Sequence, residues 1–249
     1  MQTPQGARNP MRARFREQVR EDVKAAALRQ ISSGGASAVS VNAIARQLGV
    51  SGPALYRYFA NRDELLAELV LDAYHDLADA LAAATDSKLG QSPPDRLRAL
   101  VHAWRSFALA APHRYRLLFA PPVPGYDAHA EPFASAASRA MAVGLAVFAG
   151  LAAEDESGHP QTASSGRPAS GVTASSPEAD FSAVASFPQE MLAATGAGPE
   201  ELLRVISAWA WLHGFVGLEI GGNFSSMGVD ADALFRHEVE SLIRDHGPS

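Results

Sequence analysis

Apolar side chains return at three- and four-residue steps along nearly the whole chain, while strict alternation is scarce, so the pattern predicts helices throughout and an all-α fold. The first helix runs from Met11 to Ser32, with Phe15, Val19, Val23, Ala27 and Ile31 on one stripe, and Gly34-Gly35 ends it. A short helix follows over Val41 to Leu48, with Ser40 as its N-cap and Gly49 as its stop. Val50 plugs the turn, Ser51 caps a new helix, Pro53 occupies its first turn, and Leu55 and Phe59 point inward. Asn61 with Glu64 forms a capping box that opens a long helix through Leu65, Leu69, Ala73, Leu77 and Leu81 to Thr85. Further helices are predicted from Ser92 to the stop at Pro112, over His113 to Ala120, over Glu131 to Ala153, around Phe187 to Leu192, over Pro199 to Ile220 and over Asp230 to His246.

Composition divides this string of helices. From Ser157 to Pro177, fourteen of twenty-one residues are Ser, Thr, Gly or Pro, which predicts a disordered loop because so few apolar groups cannot offset its ordering entropy. Residues 1–62 hold ten Lys/Arg against three Asp/Glu, net +7, while residues 63–249 are net −13, which together give the overall −6. A basic N-terminal module thus carries an acidic body, and such a module gains counterion-release energy on a phosphate backbone. The predicted organisation is a disordered basic arm over 1–11, a three-helix module over 12–61 and a helical bundle over 62–249. With no cysteine, disulfides, thiolate nucleophiles and cysteine-held metals are excluded. The longest uninterrupted apolar run, Ala140 to Ala153, is shorter than the ~18 to 20 residues a bilayer needs, and no signal-peptide core precedes Asp22, so a cytoplasmic protein without a membrane partner is expected.

The most informative segment is SVNAIARQLGVSGPALYRYFANRD, Ser40 to Asp63. It reads as helix, tight turn, helix. Small residues, Gly52 and Ala54, at the exposed tip allow close approach to base edges, and Tyr56, Arg57 and Tyr58 offer hydroxyl and guanidinium donors to flanking phosphates. The competing reading is a generic three-helix core in which both tyrosines merely cover Leu55 and Phe59. The glycine-turned helix pair, the basic arm with Arg8, Arg12, Arg14 and Arg16, and the charge split together weigh against it.

The segment resembles the DNA-binding domain of the TetR/AcrR family of bacterial transcriptional regulators over residues 12–66. The resemblance rests on Ile44-Ala45, Gly49-Val50, the small tip Ser51-Gly52-Pro53-Ala54, Leu55-Tyr56-Arg57-Tyr58-Phe59 and Arg62-Asp63. It implies that Pro53, Ala54, Tyr56, Arg57 and Tyr58 lie on the recognition helix, that Asn42 touches DNA from the preceding helix, and that Arg62 clamps a phosphate. The family usually has lysine where this chain has Arg62; a backbone phosphate accepts either cation. The body resembles a C-terminal ligand-binding branch of that family with a Trp-His-Gly signature, here Trp209, His213 and Gly214. Trp209 and His213, four apart, share a helix face, and Gly214 permits close approach of a neighbouring helix.

Together with Trp104, Phe107, Tyr115 and Phe119, the resemblance implies a pocket for a small, largely apolar ligand. A helical histidine such as His213 serves more often as a hydrogen-bonded core residue than as a ligand contact, and both readings stand. Pro199 to Ile220 is apolar nearly all round and needs cover on more than one face, for which a partner subunit is the simplest choice. The family pairs its last two helices with their twins, which implies a homodimer on a palindromic operator, released by ligand as a repressor. No cofactor and no metal site are expected. Two other functions are weighed. An all-helical enzyme would need a pair such as His213 with Glu219, yet the sequence lacks G-x-S-x-G, G-x-G-x-x-G, P-loop and H-E-x-x-H motifs. An architectural DNA-binding protein without an effector would have little use for so large a body.

Overall fold

The computed structural model describes residues 10–88, 90–119, 131–158, 184, 187 and 189–246. Among them the structure is all helical: α1 (Pro10–Gly34), a 3-10 turn (Ala36–Ala38), α2 (Val41–Gln47), α3 (Gly52–Leu55), α4 (Arg62–Asp86), α5 (Pro93–Ala110), α6 (Pro112–Phe119), α7 (Phe133–Gly158), α8 (Gln189–Thr195), α9 (Pro199–Ile220), α10 (Asn223–Ser226) and α11 (Ala231–His246). Pro112 starts α6 as well as following α5, since a missing N–H costs nothing in a first turn. Arg8 and most of the predicted arm lie outside the described residues, as do 159–177 of the predicted loop; Ser157 and Gly158 are the last residues of α7.

The chain forms two packing units that do not divide between residues 61 and 62. One holds residues 1–76 and 111–134, the other 77–110 and 135–249, so α4 supplies residues to both. In the first, Val23, Ala26, Ala27 and Ile31 of α1 pack with Ile44 and Ala45 of α2, with Leu55 and Phe59, with Leu65, Leu66, Leu69 and Val70 of α4, and with Leu117 of α6. The predicted α1 stripe reaches this core from Val19 onward: Val19 is half-buried and packs against it, whereas Phe15 is exposed. Val50 is also exposed; the turn is held instead by its N–H, which donates to the Ala45 carbonyl at 3.0 Å.

In the second unit, α5 buries Leu97, Leu100, Val101, Trp104 and Ala108, and α9 buries Leu202, Val205, Ala208, Leu212, Phe215 and Val216. Gly144 brings α7 close to α9: a Cβ there would lie 3.4 Å from Val205. Phe235 of α11 is fully buried among Trp211, Phe215 and His102, at ring separations of 5.8, 5.2 and 5.2 Å. Above its ring, at 4.7 Å, sits the guanidinium of Arg105, which donates through Nε to Glu219 of α9 at 2.8 Å and through Nη2 to Asp232 of α11. One cation thereby ties α5, α9 and α11. By length and composition Phe133–Leu151 of α7, which includes Ser135, Ser138 and Arg139, could cross a bilayer, a longer stretch than the uninterrupted apolar run read from the sequence. Its Ala136, Ala140, Leu145, Val147, Phe148 and Leu151 are buried, as in a core helix, and Arg139 pairs with Asp79 of α4 at 2.5 Å.

Candidate nucleic-acid interface

The DNA-reading candidate is assembled from short-range caps. The Ser40 side chain accepts from the Ala43 N–H and opens α2, and Ser51 does the same for α3 through the Ala54 N–H, both at 3.3 Å. Between them Gly49 takes φ 68°, a left-handed conformation that favours glycine and turns the chain sharply. Past Leu55 the helix tightens into turns, with the Tyr58 N–H donating to the Leu55 carbonyl at 2.9 Å. Leu55 and Phe59, each 1% exposed, pin both ends of this segment to the core; between them Tyr56 and Arg57 face outward, while Tyr58 packs against that core.

Ser51, Pro53, Tyr56 and Arg57 are exposed, and Gly52, Ala54 and Tyr58 half-buried. Asn42, exposed on α2, joins the same surface: a Cβ on Gly52 would lie 3.4 Å from its Oδ1. Arg12, Arg14, Arg16, Arg46 and Arg57 are exposed cations of this unit, and the Arg16 guanidinium lies 6.0 Å from the Tyr58 ring centroid. Arg62 is placed differently from the rest. Its Nη2 donates to the Ala36 carbonyl at 2.7 Å and its Nε to the Val39 carbonyl at 3.2 Å, so the fork fastens the start of α4 to the turn before α2. The capping box forms in a shifted version. Asn61 Oδ1 accepts from the Glu64 N–H at 2.8 Å, whereas the Glu64 carboxylate reaches back to the Ala60 N–H, one residue earlier than expected.

Two family models match the chain: the tetracyclin repressor-like C-terminal domain over residues 97–242, and the bacterial regulatory proteins of the tetR family over residues 24–69. The chain belongs to the TetR family. Its helix-turn-helix segment falls within the N-terminal match, to the bacterial regulatory proteins of that family. Among its relatives is the HTH-type transcriptional regulator Rv1816 of Mycobacterium tuberculosis, 40% identical over 141 residues, which cover 56% of this chain and 60% of that protein. The chain therefore matches less than two thirds of the length of these curated relatives. Among solved structures it is similar to the regulatory protein SCO4313, 38% identical over 97% of this chain and 99% of that one, with a TM-score of 0.71. A protein of unknown function from Rhodococcus sp. RHA1 shares the fold, at 21% identity, 92% and 95% coverage and a TM-score of 0.64.

The six ligand candidates of this TetR-family chain fall in different places. Trp104 is buried and Phe107 half-buried on α5, while Tyr115 and Phe119 form a ring pair 4.9 Å apart on α6, in the other packing unit. Trp209 is exposed on α9 and stacks on the half-buried His213, with centroids 6.0 Å and planes 18° apart. Burial holds the His213 imidazole below its ordinary pKa, so it is neutral at pH 7. Among the described residues of the protomer a Cβ at Gly214 would meet nothing within 4 Å, so the close approach expected from the sequence is not seen there. Both oxygens of Glu219, the expected partner of His213 in an enzyme, accept from the Arg105 fork. That cluster had no signal in the sequence, since 114 residues separate the pair. Among the described residues no group of His, Asp and Glu is arranged to hold a metal.

Proposed function

We propose that the chain is a homodimeric, cytoplasmic repressor that reads a palindromic operator through Asn42, Ser51, Gly52, Pro53, Ala54, Tyr56, Arg57 and Tyr58, and is released by a small, largely apolar ligand. The observation that carries this reading is the small-residue tip, Ser51 to Ala54, set directly before the core anchor Leu55, with Tyr56 and Arg57 exposed between Leu55 and Phe59. Such a surface admits base edges at its centre and phosphates at its flanks. Arg62 enters the proposal through its grip on the Ala36 and Val39 carbonyls, with phosphate contact as a second use of the half-exposed guanidinium.

The test is selection of binding sites from a random duplex pool, followed by footprinting of the winning sequence. One or a few protected palindromes are expected, whereas uniform coating without preference would favour an architectural protein. On the selected duplex, Tyr56→Phe and Arg57→Ala should each weaken binding by about 1 to 3 kcal/mol while the melting temperature stays put. Unchanged affinity in both variants removes this segment from the interface.

Support for the homodimer comes from α9. Ser207, Ala210, Gly214 and Gly217 follow three- and four-residue spacing along one exposed stripe, flanked by Trp209 and Leu218. Small residues in such a row let a second helix approach closely, and a two-fold pairing of α9 and α11 with their copies matches a two-fold operator. The ligand is assigned to the second packing unit, with Trp104, Phe107, Trp209 and His213 as its candidate contacts; Tyr115 and Phe119, which belong to the first unit, are left out of it. Release requires the ligand to prefer the DNA-incompetent state, and linkage makes DNA lower ligand affinity by the same factor. α4 is the candidate carrier, because it contributes residues to both packing units. An apolar compound found by tryptophan-fluorescence screening should release the selected duplex. Trp104→Ala or His213→Ala should blunt that release without altering binding in its absence. A compound that binds the body yet leaves DNA affinity unchanged would end the repressor-release scheme.

A further inference from the structure

The DNA-reading segment is held by more than its two apolar anchors. Its last carbonyl before Phe59, that of Tyr58, accepts a hydrogen bond at 2.6 Å from Nη1 of Arg20 on α1. The same guanidinium pairs through Nη2 with Glu68 of α4 and lies 4.5 Å from the centroid of the Phe59 ring. Arg20 therefore touches three things at once: the backbone end of the reading segment, the aromatic anchor beneath it, and a carboxylate on α4. Carbonyls at the end of a helical segment have no partner of their own, so a fixed donor there sets where the segment stops and how its side chains are aimed.

We propose that Arg20 is a positioning residue for sequence recognition, oriented by Glu68, which fixes the end of the Tyr56–Tyr58 segment and so couples its aim to the placement of α4. The inference rests on the DNA-reading role assigned above. The planar fork is what makes the role available: one face stacks on Phe59 while separate nitrogens serve the carbonyl and the carboxylate. Lysine carries the same charge, but its single ammonium cannot hold all three contacts in that geometry. As mere fold support the pair would matter little, because the Arg20 and Glu68 side chains are 25% and 26% exposed and ion pairs of that kind contribute little to stability. As an aiming device it matters for DNA out of proportion to stability.

The experiment uses the full chain and two probes, the duplex selected from the random pool and a scrambled duplex of equal composition, at one salt concentration. Arg20→Lys keeps the net charge. It should lower affinity for the selected duplex about tenfold, leave the scrambled duplex nearly unaffected and leave thermal unfolding close to wild type. The charge-swapped double variant, Arg20→Glu with Glu68→Arg, also conserves net charge. It should restore an α1–α4 ion pair and the unfolding midpoint but not the preference for the selected duplex, since the donor to the Tyr58 carbonyl is gone from α1. Wild-type selectivity in Arg20→Lys, or recovery of selectivity together with stability in the swapped variant, overturns the proposal. A wild-type chain that selects no sequence from the pool would overturn the DNA reading itself, which is a separate outcome.

Discussion

Replacing Gly214 by arginine is expected to leave each protomer folded and to leave it alone. A Cβ at this position meets no atom within 4 Å, and the neighbouring Gly217 is equally open, so a long side chain has room in the isolated chain. Helix propensity favours the change by up to ~1 kcal/mol, since glycine is a poor helix former. In a two-fold pairing of α9 with its copy, the same substitution places two like charges against each other in a stripe of small side chains. Sedimentation should then report a monomer, and far-UV circular dichroism undiminished helicity. Operator affinity should fall by roughly 10²-fold or more, because each half-site must be bound without the effective concentration that a linked second reader supplies. The fall should be far smaller for Ala83→Arg, at an exposed helical position of α4. A variant that remains dimeric would move the interface away from this face of α9.

Arg105→Met is expected to destabilise the second packing unit by about 2 to 4 kcal/mol, a loss set by the carboxylate it strands. The Arg105 and Glu219 side chains are only 11% and 14% exposed, so removal of the guanidinium leaves Glu219 with little water to replace two hydrogen bonds. Methionine keeps part of the packing over Phe235, which makes the carboxylate the main casualty. The double variant Arg105→Met with Glu219→Leu should therefore recover most of the loss, measured as the midpoint of urea unfolding. If the single variant unfolds at the wild-type midpoint, the cluster contributes nothing to holding α5, α9 and α11 together. Loss in the double variant equal to that in the single one would place the effect in the Phe235 contact instead.

The sequence was most legible where cause and effect lie within one turn. Ser40, Gly49, Ser51 and Pro53 act on neighbours one to four residues away, and their caps and turn stand where the pattern puts them. Leu55 and Phe59 were readable for the same reason. Periodicity, however, gives the direction of a stripe and not what faces it: Phe15 shares a face with Val23 and Ile31, yet only the latter two have packing partners in the core. Trp209 likewise belongs to an apolar helix and is exposed in the protomer. The polar contacts that organise both units were out of reach, because Arg20 meets Tyr58 across 38 residues, Arg62 meets Val39 across 23 and Arg105 meets Glu219 across 114. A charged residue on a helix looks the same in sequence whether its partner is water or a carbonyl far along the chain. Arg62, expected at a phosphate, directs its fork to the protein's own backbone.

The nearness of Gly52 to Asn42 bears on how such a regulator acquires new targets. A Cβ at position 52 would stand 3.4 Å from the Asn42 amide oxygen, so alanine fits there in ordinary contact and any longer side chain displaces Asn42 from the surface it shares with the tip. The two positions, on different helices, cannot vary freely of one another. If the tip reads bases as proposed, a larger residue at 52 aimed toward α2 is expected to be accepted best beside a smaller one at 42. A library that randomises both positions together should yield altered specificities that libraries of either position alone do not contain.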